Sequence, residues 1–327
     1  MESGAAPSVA ARGGARITRA LTIAAKALLL VLVFCALWPF QALSLRRHGR
    51  LARRLPLLFH RIACGLIGLT INESGTRPHD VPALILSNHS SWIDIVALSA
   101  LAPVSFVAKS EIAGWPVFGT LARLQRSIFV DRNNPRATGD VAQTMARRLG
   151  RGEWIVLFAE GTTSDGNRVL PFKAPLVGAA RMALDPGKGR GKGEAEGDAE
   201  GAPALLPALL LQPLAITYTR RNGLPLTRRE RPDLCWYGTM DLVPHLADIL
   251  AGGSIDVVIH WGTPLSFDAR GDRKALTREA WREVREAVSR ANRGVDVVGG
   301  EQDAGEGAPD HHAARARQRP GPHAASA

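Results

Sequence analysis

Between Glu2 and Glu73 the chain carries no acidic residue, yet the same interval holds Arg12, Arg16, Arg19, Lys26, Arg46, Arg47, Arg50, Arg53, Arg54 and Arg61. These bases bracket the run Ala27–Leu45, which is apolar except for Pro39, Gln41 and Ser44. A run of that length is just long enough to cross a bilayer as a helix. The formal net charge is +11, and this one interval accounts for nearly all of it. A basic chain usually points to nucleic acid, but here the charges flank hydrocarbon, so no nucleic-acid partner is expected. Anionic lipid head groups fit better, because each base near such a surface gains about 1 kcal/mol.

A second apolar stretch, Leu55–Ile71, carries His60 and Arg61. Two arrangements satisfy the pair: a spanning first helix, or a hairpin dipping into one leaflet with its arginines among the head groups. Bases on both sides leave the positive-inside rule undecided, which favours the hairpin. A cleaved signal peptide shares the basic start and apolar middle, but no convincing small-x-small cleavage site follows Trp38. Residues 16–72 are thus expected to anchor the chain to a membrane, behind a disordered tail at 1–15.

Beyond Asn72 the pattern changes. Short apolar runs at Val81–Ser87, Val104–Ala108, Ser127–Val130, Glu153–Phe158, Leu209–Thr219 and Ile255–Trp261 read as strands. Between and after them lie helical stretches at Ser91–Leu101, around Glu111–Leu124, from Asn134-Pro135 to Leu149, at Ala174–Leu184 and at Thr277–Ala291. The alternation predicts an α/β domain over residues 73–293, with a mixed, mostly parallel sheet flanked by helices and preceded by the apolar helix pair. Residues 185–202 are Gly-rich, charged and without large apolar side chains, and are expected to be a disordered insertion. They lack the spacing of a phosphate loop. The tail 294–327, with its His311-His312 pair, is expected to be solvated and unstructured. Cys35, Cys64 and Cys235 are far apart and form no C-x-x-C pair, so a reducing, cytosol-facing compartment is expected. With 46% hydrophobic residues over 327 positions, the chain is neither fully disordered nor a multi-span transporter.

The sharpest chemical signal is Asn88-His89-Ser90-Ser91-Trp92-Ile93-Asp94. A buried strand ends at His89 and a helix opens near Asp94, at the carboxyl end of a strand where open α/β sheets bind ligands. The five-residue step is short enough for the carboxylate to fold back onto the imidazole. There it would fix the tautomer and stabilise the imidazolium once a proton arrives. Alone, the pair also fits a helix-capping Asp with a polar neighbour. No G-x-S-x-G serine completes a triad, so a base without a protein nucleophile implies that the substrate supplies the hydroxyl. No His/Asp/Glu set has metal-ligand spacing, and no metal or cofactor is expected.

Four blocks in order over Val81–Thr219 make the chain resemble the lysophospholipid acyltransferases, the glycerolipid family that makes phosphatidic acid. Its Asn-His-x4-Asp signature is matched by Asn88, His89 and Asp94. A second block is matched by Lys109-Ser110-Glu111-Ile112, Trp115-Pro116, Gly119 and Phe129-Val130-Asp131-Arg132. The Phe-Pro-Glu-Gly-Thr-Arg-Ser block stands here as Phe158-Ala159-Glu160-Gly161-Thr162-Thr163-Ser164, and the fourth as Leu211-Gln212-Pro213-Leu214-Ala215-Ile216. Two residues depart from the pattern: Ala159 replaces a proline, and Thr163 replaces an arginine that in the family helps hold the acceptor's phosphate. Arg132, Arg126 and Lys173 are the cations expected to take that place, unless the acceptor lacks a phosphate. The stretches Glu160–Lys173 and Trp236–Leu246 also resemble a bacterial subgroup that includes lyso-ornithine lipid acyltransferases.

The resemblance implies acyl transfer from a thioester to a lysolipid hydroxyl, with His89 as base and Asp94 orienting it. It implies Glu160, Gly161, Thr162 and Thr163 at the acceptor, and Arg132 and Lys109 on phosphate or donor. The co-substrate is expected to be an acyl carrier protein or coenzyme A thioester, drawn by the basic surface. The acceptor is expected to be 1-acyl-sn-glycerol 3-phosphate, yielding phosphatidic acid, with lyso-ornithine lipid the alternative that Thr163 motivates. A silent membrane-binding protein is the third reading, and the intact His89/Asp94 pair counts against it. The expected location is the cytoplasmic (inner) membrane with the site facing the cytoplasm.

Overall fold

The computed structural model describes residues 9–47, 51–78, 81–131, 135–178, 209–268 and 271–295. The expected insertion 185–202, Arg132 and His311-His312 lie outside the described residues, as does nearly all of the tail 294–327. So does most of the helix expected at Ala174–Leu184.

Central strands carry apolar side chains on both faces, as a parallel sheet covered by helices requires. β2 (Ala83–Ser87) is buried at every position. It pairs in parallel with β5 (Trp154–Phe158) on one side and β6 (Leu209–Arg221) on the other. β5 continues in parallel to β3 (Val104–Lys109), and β3 to the short β4 (Ile128–Val130). On the far side β6 turns antiparallel to β8 (Ile255–Trp261), which pairs in parallel with β1 (Leu69–Gly75). Two short strands, β7 (Leu224–Pro225) and β9 (Leu265–Phe267), add antiparallel pairs to β6. The sheet is therefore mixed and mostly parallel, in the order β1-β8-β6-β2-β5-β3-β4.

The first strand was not separable from the apolar stretch Leu55–Ile71 by composition. Gly68, with φ +81°, breaks the preceding helix and turns the chain into β1. The last residues of the segment 16–72 therefore belong to the sheet. At the other end, α1 (Val9–Arg46) begins inside the stretch 1–15 that was expected to be disordered, where Ala10, Ala11 and Ala15 favour continuing the helix.

The helices cover both faces. α2 (Leu51–Ile67), α3 (Ile93–Leu101) and α6 (Leu242–Ala251) pack on one, where Cys64, Ile67, Ile93, Leu98 and Ile249 meet Ile85, Val156 and Ile216. On the other, Val141, Met145 and Leu149 of α5 (Pro135–Gly150) and Ala280 of α7 (Arg273–Asn292) meet Leu84, Leu86, Ile155 and Leu157. Alternate residues of β2 thus feed two cores, each fully buried side chain contributing about 1.5–3 kcal/mol. The helix expected over Glu111–Leu124 is instead a 3-10 turn (Ser110–Gly114) followed by α4 (Phe118–Leu124). Pro116 lacks the N–H a continuous helix needs. Gly119 lets the second piece fold onto the first, since a Cβ there would stand 2.4 Å from the Ala113 carbonyl oxygen.

α1 and α2 form an antiparallel hairpin. The Phe34 and Phe59 rings meet edge-on, and Gln41 Nε2 donates to the carbonyls of Ala52 and Leu124. α1 is long and apolar enough to cross a membrane. It also lies along the domain: Ile23, Ala27 and Leu30 pack on the core, Arg19 pairs with Asp248, and Lys26 donates to the Leu250 carbonyl. Its other face exposes Leu21, Leu28, Leu32, Trp38, Phe40 and Leu43.

Candidate active site

His89 lies two residues beyond the end of β2, and the next residues turn into α3. Asp94, in the first turn of that helix, is fully buried and bends back over the turn. Its Oδ2 accepts from His89 Nδ1 at 2.8 Å and from the backbone N–H groups of Ser90 (2.8 Å) and Ser91 (3.0 Å). Its Oδ1 accepts from the Tyr218 hydroxyl. One carboxylate therefore caps the turn and orients the imidazole at once. With Nδ1 engaged as a donor, Nε2 is left as the basic nitrogen. The His89 side chain stays 17% exposed, enough for a substrate to reach it. Its ring lies flat on Phe158, with centroids 3.7 Å apart and planes within 9°. Ring plane and tautomer are both fixed, as a general base requires.

The turn is fastened by four further residues, Asn88, Ser164, Trp236 and Glu160. The side-chain amide of Asn88 donates to the Ile216 carbonyl and accepts from the Ile216 N–H, both at 2.9 Å, clasping β2 to β6. Ser164 N–H donates to the His89 carbonyl, and Trp236 N–H to that of Ser90. Glu160 is almost wholly buried, and its two oxygens accept from His89 N–H (2.8 Å) and Leu170 N–H (2.9 Å). Burial pushes the Glu160 carboxyl up to about 7, the two N–H groups working against that rise. The sequence assigns Glu160 to acceptor hydroxyls, whereas the structure turns its carboxylate onto the backbone N–H groups of His89 and Leu170.

Gly161 has φ +74°, a left-handed conformation that side chains resist, and the Lys173 side chain lies over it. A Cβ at Gly161 would stand 3.0 Å from Lys173 Nζ. Thr162 is exposed and Thr163 half-buried on the same loop. Lys109 is exposed at the end of β3, on the same edge of the sheet as His89. Arg126 is held elsewhere, paired at 2.5 Å with Glu153, which precedes β5 at the opposite edge. Of the cations expected to replace the motif arginine, Lys173 stands at the site and Arg126 does not.

Residues 69–195 match the family model described as Acyltransferase. A lyso-ornithine lipid O-acyltransferase of Brucella abortus is 44% identical over 268 residues, covering 82% of this chain and 94% of that protein. The chain belongs to the lysophospholipid acyltransferase family. It is an enzyme of the acyltransferase class, with a membrane helix candidate at its N-terminus. A second relative of this acyltransferase, the lyso-ornithine lipid O-acyltransferase of Rhizobium meliloti, is 40% identical over 267 residues, covering 82% of this chain and 86% of its own. A 1-acyl-sn-glycerol-3-phosphate acyltransferase of Neisseria gonorrhoeae is 39% identical over 114 residues, 35% of this chain and 44% of that one. Among solved structures, the acyltransferase PlsC of Thermotoga maritima shares the fold, with a TM-score of 0.50 at 19% identity, over 80% of this chain and 94% of its own.

Tyr218 was missed by sequence reasoning. It lies in a strand that reads as uniformly buried, and only the register of β6 beside β2 brings its hydroxyl to Asp94. Burial, then the negative charge of Asp94, pushes its phenol well above the usual range, so it serves as a fixed donor.

Proposed function

We propose that this acyltransferase moves an acyl chain from a carrier-protein or coenzyme A thioester to the hydroxyl of lyso-ornithine lipid. The observation that carries the reading is the extent of likeness. Relatives named for lyso-ornithine lipid align over most of the chain, whereas the Neisseria gonorrhoeae and Limnanthes alba relatives named for 1-acyl-sn-glycerol 3-phosphate align over 35% and 45% of it. Thr163 agrees, since it places a neutral hydroxyl where the family's motif has a phosphate-holding arginine. Acylation of 1-acyl-sn-glycerol 3-phosphate is the second reading, favoured by Lys173 over Gly161 as a replacement cation.

His89 Nε2 takes the proton of the acceptor hydroxyl as its oxygen attacks the thioester carbonyl. Asp94 holds the imidazolium through Nδ1–H until the proton passes to the leaving thiolate. The general-base step contributes about 10²–10⁴-fold. Lys109 and Arg132 are the bases proposed for the donor's phosphates, with Gly161, Thr162 and Thr163 lining the acceptor.

The chain works at the cytoplasmic face of the inner membrane. α1 packs on the domain from Arg19 to Gln41 and exposes its opposite face, which supports immersion of the hairpin in one leaflet. The test is an acceptor competition on purified protein in liposomes, with one long-chain thioester and His89→Ala as the blank. Ornithine lipid is expected as the dominant product, and His89→Ala is expected to lose at least 10²-fold in rate. Dominant phosphatidic acid would move the enzyme to the second reading.

A further inference from the structure

A cleft of about 630 Å³ opens along α6, lined by Arg19, Arg221, Asp233, Asp241, His245 and Asp248 among others. Arg19 and Asp248 neutralise each other at 2.5 Å. The remaining charges do not. Among the described residues, the carboxylates of Asp233 and Asp241 and the guanidinium of Arg221 make no hydrogen bond or ion pair, although all three line one cleft. Opposite charges that share a cleft without meeting are each satisfied at once by a ligand carrying both signs. A phosphate would face three carboxylates against two guanidiniums, so the lining also disfavours a purely anionic head group.

The cleft is fastened to the catalytic turn at two points. Trp92, between His89 and Asp94, donates from Nε1 to Nδ1 of the buried His245 at 3.0 Å. Trp236 donates its N–H to the Ser90 carbonyl and its Nε1 to that of Met240, another residue of the lining. The wall of the cleft and the turn that carries the base are thus linked through the two tryptophans.

We propose that this cleft is the acceptor's head-group subsite and takes a zwitterion, with Arg221 meeting a carboxylate and Asp233 and Asp241 meeting an ammonium. The proposal rests on the lyso-ornithine lipid reading above, whose head group bears both charges. Arg19 makes the anchor helix part of the same wall.

The test uses the full chain in liposomes, with lyso-ornithine lipid, its carboxyl methyl ester and 1-acyl-sn-glycerol 3-phosphate as acceptors. Wild-type protein is expected to prefer the free acid over the ester by about tenfold in kcat/KM, the size of one charge-assisted hydrogen bond. Arg221→Gln is expected to erase that preference. Asp233→Asn/Asp241→Asn is expected to raise KM for lyso-ornithine lipid about tenfold with kcat nearly unchanged, while leaving KM for the phosphate acceptor equal or lower. The acid-to-ester ratio is taken within each variant, so it does not depend on how much of the protein folds. An undiminished ratio in Arg221→Gln, or an unchanged KM in the double variant, overturns this proposal alone. Wild-type protein that fails to acylate lyso-ornithine lipid overturns the functional reading with it.

Discussion

Asp94 has two oxygens and four donors aimed at them. His89, Ser90 and Ser91 are local, whereas Tyr218 arrives from β6, 124 residues along the chain. Because the carboxylate is fully buried, no water can replace a donor that is removed. Tyr218→Phe keeps the ring and its packing but leaves Oδ1 unpaired, which costs about 1.5–3 kcal/mol for a bond to a charged group. The expected outcome is a lower urea midpoint and a kcat reduced about tenfold, with KM unchanged because Tyr218 touches no substrate. Equal stability and equal kcat would mean that the local donors alone hold Asp94.

Glu160 ties two elements, since one oxygen holds the turn after β2 and the other holds Leu170 beyond β5. Its carboxyl titrates near 4.5 in the unfolded chain and at about 7 in the folded one. Between those values the folded protein keeps a proton that the unfolded chain has released. Stability from this group is therefore highest on the acid side, falls as pH rises through that window and levels off above it. The span corresponds to at most about 3 kcal/mol. Glu160→Gln abolishes the titration, and its amide N–H₂ meets a backbone N–H, so it is less stable than wild type at pH 5. The gap is expected to shrink by about 2.5 kcal/mol between pH 5 and pH 8 in urea titrations. A gap independent of pH would show that Glu160 titrates normally.

At the scale of the whole molecule, the anchor and the domain are one packed unit. α1 gives Ile23, Ala27 and Leu30 to the core, and Arg61 of α2 donates to the Ala100 carbonyl at the end of α3. The same hairpin exposes Arg46, Arg47 and Arg54 near its bend. Each of these bases contributes about 1 kcal/mol at an anionic surface. Replacing all three with Gln is expected to weaken binding to phosphatidylglycerol vesicles by about 10²-fold while leaving binding to neutral vesicles unchanged. Equal loss on both vesicle types would place the effect in folding of the hairpin rather than in charge.

The contact between His89 and Asp94 was legible because it is local. His89 and Asp94 lie five positions apart, and a strand-to-helix turn brings them together whatever the rest of the chain does. The sheet's central strands were equally plain, since burial on both faces writes a continuous apolar run. β1 was hidden because its residues continue an apolar stretch, and only pairing with β8 separates the strand from the helix before it. Only tertiary structure decided what the carboxylate of Glu160 faces, that Lys173 rather than Arg126 stands by Gly161, and that Tyr218 completes the cage around Asp94. The physical reason is the same in each case. Such contacts depend on strand register and on how distant segments pack, and neither is set by any local pattern of residue types.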